Sequence, residues 1–372
     1  MTGEGPLRFD ALALADIPRI PSLLPDAARL MFPALEEELR ANPDTSDDTP
    51  WLFCLSDAGG EIVSWIRVWA DRVFVDGQQA PWLWTGDLKT LESLRGRGLA
   101  TELQRQGTDW VMARRIGRGS VFSTDQTLHI YRKLGYLQPG YASRRVLLAS
   151  ARPVIAAHLT GHFATLANAA ARPMAALVRP LLLARYGRWC RGSVAAVETD
   201  ARGAAVDRTL ASAARRLRVH FNLSPEKLQW KLDLVAKKPG TTRLLTISDR
   251  TARPLALAVT RTRVETRPLA GRYRDFVCTT LMDFVLAEPT TEAARAVVGH
   301  VAREFLESDA EVLQFVSYDE TLTRLAATAG FVRAGRGMSF ACRLPPDLAV
   351  PEGAGEISTW PVTHFSGDGV LQ

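Results

Sequence analysis

The sequence predicts an α/β fold of the α+β kind: two tandem domains, each a mixed central sheet flanked by helices, joined by a helical linker. Three observations predict it. Short strand-like runs alternate with helical periods in the order strand, loop, helix, strand, helix, strand. That order returns after residue 215. The closing segments "TLHIYRKLGYLQPG" (127–140) and "LTRLAATAGFVRAG" (322–335) also align, with Gly135 on Gly330, Tyr136 on Phe331 and Gly140 on Gly335. A chain of 372 residues has room for both copies.

Taken in order, residues 10–45 read as helical pieces, cut by Pro18, Pro21, Pro25 and Pro33. "WLFCLSD" (51–57) and "EIVSWIRVWA" (61–70) are strands around an "AGG" turn, and "DGQQ" (76–79) turns the chain into a strand running to about Thr90. "LATELQRQGTDWVMARRIG" (99–117) is helical, with Leu99, Leu103, Trp110 and Met112 roughly on one side. "SVFST" (120–124) is a strand, "LHIYRKLG" (128–135) a helix stopped by Gly135, and "YASRRVLLAS" (141–150) a closing strand. These elements place the first domain at 1–150.

A helical linker is expected over 151–215. Its uncharged stretch 154–171 holds His158, His162 and Asn168 among alanines, too polar to span a membrane. It suits burial between domains or, failing that, rest on a membrane surface. The second domain, 216–346, has strands at 242–249, 255–265 and 274–286, a helix at 290–308, a strand at 311–318, a helix at 320–330 and an end strand at 331–344. Residues 347–372 form a tail.

Apolar residues make up 47% and charged residues 23%, enough for a buried core. The formal charge is +6, and only six of the 46 basic residues are lysine. An anionic partner fits that balance. Nucleic acid does not, since no module combines aromatic and basic residues. Cys54, Cys190, Cys278 and Cys342 are scattered, so neither a metal site nor a disulfide framework is expected. The N-terminus lacks a basic segment followed by an apolar one, and a cytoplasmic, reduced protein is expected.

The stretch "SLRGRGLATEL" (93–103) sets two arginines and two glycines before a helix. A Walker loop would need lysine then serine or threonine where Leu99 and Ala100 stand, and a dinucleotide fingerprint would need a third glycine. What stands is R-x-x-G-x-A, from Arg95 to Ala100. Small residues let backbone approach a ligand, and the first amides of a helix point outward with the dipole behind them. Arg95 and Arg97 can add charge-assisted bonds. The chemistry suits a diphosphate; an ordinary glycine turn is the alternative.

Together with "IYRKLGY" some 35 residues later, the loop resembles the GCN5-related N-acetyltransferase family. The resemblance covers residues 50–148 and implies acetyl- or another acyl-coenzyme A as co-substrate, with no metal. It implies that Arg95, Gly96, Arg97, Gly98, Leu99, Ala100 and Thr101 surround the pyrophosphate. Leu88, Lys89 and Thr90 would hold the pantetheine amides, and Tyr131 would protonate the departing thiolate. "TLES" stands where that family has V-x-P, and Thr124 or Asp125 where it often has asparagine. The second copy has "TTEAARAV" in place of the loop, with Glu288 and Glu292 beside it, and Ala326 in place of Tyr131. Through "SPEKLQWKL" (224–232) and "STWPVTHFSGDG" (358–369) the whole chain loosely resembles two-domain acyltransferase-like proteins among bacterial surface-polysaccharide enzymes.

The activity so implied is acyl transfer to a primary amine, an amino sugar or related small molecule. Asp87 is the first choice of general base, because its strand should line the acceptor side; Glu92, Asp125 and His129 are the others. Trp65, Trp69, Trp82 and Trp84 alternate at strand spacing, as core or as stacking surface for a sugar. A non-catalytic acyl-coenzyme A sensor or scaffold remains an alternative, as does an aminoacyl-tRNA-dependent transferase of related tandem fold.

Overall fold

Alternating apolar and aromatic residues over 50–90 build an antiparallel meander. The computed structural model describes residues 6–17, 35–150, 155, 178–266 and 276–366. Strands β2 (Pro50–Ser56), β3 (Ile62–Val75) and β4 (Gln78–Thr90) pair in sequence. β3 runs five residues past its expected end at 70 because its next turn is Asp76–Gly77. Both have left-handed φ, 48° and 79°, as a two-residue hairpin loop requires. β1 (Arg8–Ala13) pairs antiparallel with β2, which corrects the helical expectation for 10–45 at its start. Short α1 (Leu35–Arg40) follows; the proline-cut stretch between them lies outside the described residues.

Helix α2 (Leu99–Ala113) then crosses to β5 (Gly117–Val121), which runs parallel to β4. β5 begins three residues before its expected start. Its sequence "GRGSV" hides a strand because glycine carries no strand signal. The glycines serve a packing need: a Cβ on Gly117 or Gly119 would stand 2.4 Å from the Trp82 indole. α3 (Asp125–Lys133) and β6 (Leu137–Leu148) close this half.

The expected helical linker is not all helix. A helix, α4, covers 178–189; β7 (Ser193–Glu198) and α5 (Ala204–Ala214) follow. β7 pairs with the second half's β9 (Thr241–Asp249), which draws "SVAAVE" into the sheet. The stretch 154–171 lies outside the described residues, apart from residue 155. The remaining elements are β8 (Val219–Phe221), α6 (Pro225–Ala236), β10 (Pro254–Glu265), β11 (Phe276–Leu286), α7 (Thr291–Glu307), β12 (Val312–Ser317), α8 (Glu320–Thr328), β13 (Val332–Arg333) and β14 (Met338–Arg343).

The described strands form one 14-stranded sheet, in the path β1-β2-β3-β4-β5-β14-β6-β12-β11-β10-β9-β7. The two halves exchange strands. β14, near the chain's end, pairs antiparallel with both β5 and β6 of the first half. The later part of β6 pairs with β12 and β13 of the second. Boundaries at 150 and 216 therefore divide the chain in sequence but not in hydrogen bonding.

The repeat is visible in detail. After α3 the amide of Tyr136 donates to the carbonyl of Tyr131, and after α8 the amide of Phe331 donates to that of Ala326, both at 3.0 Å. Gly135 and Gly330 make these turns with φ of 74° and 103°. Helices of each half cover one face of their part of the sheet. The opposite faces meet in a shared core of Trp82, Trp84, Phe221, Trp230, Val259, Met282 and Trp360.

A buried ion network ties that core together. Lys227 on α6 places Nζ 2.8 Å from Asp44 and 2.8 Å from both Asn42 Oδ1 and the Ala70 carbonyl. Burial alone would raise the Asp44 carboxyl, but Lys227, Asn222 and Arg72 together hold it below its ordinary range. Asp71, 3.9 Å from Lys227, accepts the Trp84 indole N–H at 2.9 Å.

Candidate active site

The parallel pairing of β4 with β5 stops early. It holds Trp82 to Gly117, Leu83 to Arg118 and Trp84 to Gly119, although both strands continue. Past Trp84 they separate. The Thr85 hydroxyl still reaches the Gly119 carbonyl at 3.1 Å and marks the apex of the opening. Just beyond it β4 bulges: Arg67 faces Gly86 and Trp65 faces Lys89, so Asp87 and Leu88 stand against Ile66 alone. Asp87 takes a φ of 53° there. Among the described residues, no strand pairs with the outer edge of Leu88, Lys89 and Thr90.

That edge leads into the arginine loop. Arg95, Gly96, Arg97 and Gly98 are exposed, and Gly96 and Gly98 hold φ of 82° and 79°. Nothing lies within 4 Å of where a Cβ would stand on either. The loop is thus an open, backbone-lined cradle, and a side chain at Gly98 would project into it. Gly98 is the N-cap of α2 and gives no side-chain bond. By contrast α3, α6, α7 and α8 are capped by Thr124, Ser224, Thr290 and Asp319. The opening N–H groups of α2, over Leu99, Ala100 and Thr101, are thus left without a capping side chain and carry the positive end of the dipole. This fits the diphosphate reading.

Tyr131 is fully buried. Its hydroxyl lies 3.2 Å from Thr85 Oγ1, at the apex of the strand opening, and accepts from Gln104 Nε2 at 3.3 Å. Its ring lies against Tyr136. Asp87 pairs with Arg67, so its carboxylate is already engaged by a guanidinium. Glu92 is exposed beside Arg95, and Asp125 pairs with Arg336 at 3.0 Å. Asp125 and His129 line a cavity of about 440 Å³ with Arg132, Gln138 and Tyr141. None of the loop residues lines it. β4 thus carries Asp87 and Leu88–Thr90 toward the loop, Tyr131 lies buried behind Thr85, and Asp125 and His129 line a cavity that no loop residue lines.

Trp65, Trp69, Trp82 and Trp84 are all buried. Strand alternation turns Trp82 and Trp84 toward the second half, so they are core and offer no stacking surface. Sequence reasoning passed over Arg118, Gln104 and Thr85, which surround Tyr131 and Tyr136. The available signals were an arginine flanked by glycines in β5, and Gln104 on the helix face shared with Gly107, Thr108 and Val111.

The second half keeps the opening and closes it. β11 pairs with β12 from Cys278 to Leu281 and then departs, bulging at Met282. The tail's Phe365 amide donates to the Met282 carbonyl at 3.1 Å, and the Thr363 hydroxyl donates to Asp283 at 2.8 Å. Thr290 caps α7, whose first turn carries Glu292, paired with Arg253. Nothing there resembles the cradle of the first half.

Among the described residues no three His, Cys, Asp or Glu side chains are grouped to hold a metal ion, and no helix is long and apolar enough to cross a membrane. All four cysteines are buried and unpaired.

Residues 19–136 match the acetyltransferase (GNAT) family. The match lies within the first half and covers less than half of the chain. No curated protein matches the chain in sequence. Three solved structures share its fold over 91% of its length. A GCN5-related N-acetyltransferase from Anabaena variabilis is 13% identical with a TM-score of 0.58, covered over 73% of that chain. One from Kribbella flavida is 15% identical, at 0.51 and 71%. A probable N-acyltransferase from Enterococcus faecalis is 11% identical, at 0.54 and 73%. At such identities the likeness concerns the fold, and it extends through both halves.

Proposed function

We propose that the first half binds an acyl-coenzyme A and transfers its acyl group to the nitrogen of a small primary amine, an amino sugar or a related molecule. The observation that carries this is the coincidence, on one β4–α2 unit, of a strand opening with a helix start that no side chain caps. The coenzyme, when bound, supplies an activated acyl thioester. The N–H groups opening α2, with Arg95 and Arg97, bind its pyrophosphate, and the small Gly96, Gly98 and Ala100 keep that backbone accessible. The outer edge of Leu88, Lys89 and Thr90, which no described strand pairs, holds the pantetheine amides, and an N–H of the bulged strand polarises the acyl carbonyl.

Tyr131 gives its proton to the departing sulfur, exchanging its bond to Thr85 for one to the thiolate. Asp87 takes the amine's proton, directly or through a water, with Arg67 holding the carboxylate in place. The second half contributes no chemistry of its own. It completes the sheet through β14 and backs β4 with the shared core.

Calorimetry with acetyl-coenzyme A tests the reading. One site per chain is expected. Gly98→Glu fills the cradle and sets a carboxylate against the diphosphate, so affinity should drop at least a hundredfold, about 3 kcal/mol. Two equal sites, or unchanged affinity in that variant, would refute it. The same titration with longer acyl donors, followed by an amine panel, identifies donor and acceptor.

A further inference from the structure

Arg118 is the most unusual charge in the first half. It sits on β5, fully buried, and among the described residues no carboxylate lies within ion-pair distance of it. Its Nη2 donates to Gln104 Oε1 at 2.6 Å. Its Nη1 donates to the Gln104 carbonyl at 3.3 Å and the Thr108 hydroxyl at 3.2 Å, while Nε has no partner. The Phe53 ring lies 5.4 Å from its Cζ. A guanidinium buried without a counter-ion is costly, and apolar side chains of the same volume would fill such a site at less cost.

The directions of the hydrogen bonds can be worked out from this one cation. A guanidinium only donates, so the oxygen of Gln104 must face it. The amide nitrogen of Gln104 then faces Tyr131 and donates to the phenol oxygen at 3.3 Å. The Tyr131 proton must leave in another direction, and Thr85 Oγ1 is the neighbour there, at 3.2 Å. The Thr85 hydroxyl gives its own proton to the Gly119 carbonyl, so it accepts from Tyr131. Along this path the donors point one way, from Arg118 through Gln104 and Tyr131 to Thr85, at the apex of the strand opening. A side branch links Thr108 to the Tyr136 hydroxyl at 3.0 Å. Burial raises the Tyr136 phenol above its ordinary range.

We infer that Arg118 and Gln104 are positioning residues for Tyr131: they aim its proton at the strand opening and stabilise the negative charge left when the proton departs. This rests on Tyr131 being the acid of the proposed acyl transfer. In that step the C–S bond of the thioester breaks, the electron pair goes to sulfur and the Tyr131 proton goes with it. The phenolate oxygen keeps the Gln104 N–H, with the Arg118 cation behind it. That charge is the counter-ion the buried guanidinium otherwise lacks.

Gln104→Glu separates this from a purely structural role. The new carboxylate still meets Arg118, now as an ion pair, so the melting temperature should hold or rise. It has no N–H for Tyr131, and it draws the phenol proton toward itself and away from the opening. With acetyl-coenzyme A and hydroxylamine, a nucleophile that needs no acceptor pocket, kcat should fall ten- to a hundredfold while KM for the donor stays within about threefold. Calorimetry gives a readout apart from turnover. The wild type should bind coenzyme A more tightly than desulfo-coenzyme A, and Gln104→Glu should lose that preference. Tyr131→Phe should do the same, and the double variant should be no worse than Tyr131→Phe. If Tyr131→Phe loses turnover and the sulfur preference while Gln104→Glu keeps both, the relay is wrong and the acid stands. If neither variant changes either quantity, Tyr131 is not the acid and the inference falls with it. A lower melting temperature in Gln104→Glu that accounts for the lost turnover would also overturn it.

Discussion

Lys227→Met perturbs the joint between the two halves at one atom. Its ammonium is 1% exposed and serves three acceptors at 2.8 Å: Asp44, Asn42 and the Ala70 carbonyl. Methionine fills the volume and removes the charge. Breaking a buried ion pair by losing one partner costs about 3–5 kcal/mol. Asp44 keeps Arg72 at 2.6 Å and two bonds from Asn222, so the low end, about 3 kcal/mol, is the expectation. Urea unfolding should show a lower midpoint with an unchanged slope. The sign of the pH effect follows from Asp44. Its carboxyl is held below its ordinary range, so it contributes stability above its unfolded value that is lost as pH falls through its folded value. Without Lys227 the raising effect of burial gains weight, and acid unfolding should begin at higher pH. A loss below about 1 kcal/mol would mean the network is idle. Separate unfolding of the halves would refute the idea that it joins them.

A fragment of residues 1–150 should be insoluble or molten and fail to transfer acyl groups. β5 and the first part of β6 would lose β14 between them, and the Trp82 and Trp84 face would lose its cover. Size-exclusion chromatography and tryptophan emission check this, and a soluble fragment with full turnover would overturn it. The four thiols should resist a thiol reagent at neutral pH until global unfolding, because burial pushes Cys54 and Cys278 to about 12 and raises Cys190 and Cys342 as well. Labelling faster than unfolding would show a local opening.

The parts legible in the sequence were those written in local chemistry. The glycine-arginine loop, the "YRKLG" stop and the alternating tryptophans each follow from nearest-neighbour rules. The element order followed too. What stayed hidden depends on partners distant in the chain. "MSFACR" reads as an end strand of the second copy, yet its pairing with β5 and β6 is a matter of topology. "GRGSV" yields only its last two residues to the expected strand until Trp82 is placed over its glycines. "RFDALA" reads as part of a helical stretch until β2 offers it an edge. Arg118 looked like one more of many arginines, and only its burial sets it apart.

The two openings explain why a duplicated fold would keep one site. Any strand pair that separates leaves unpaired N–H and C=O groups, and these must find water, a ligand or protein. In the first half the separated edge meets an uncapped helix and an open cradle, which under the proposed function receive an extended, amide-bearing, anionic ligand. In the second half the chain supplies its own substitute. Phe365 takes the Met282 carbonyl, Thr363 takes Asp283, and Thr290 closes the helix start. Once these internal bonds exist, binding a ligand there would require breaking them and withdrawing the buried Phe365 from the shared core. Under the proposed function the second copy therefore serves as support. The tail that closes its opening also packs Trp360 beside Phe340 of β14, the strand the first half borrows. The second opening is closed by the tail, and the sheet around the first is completed by β14, the strand just before it.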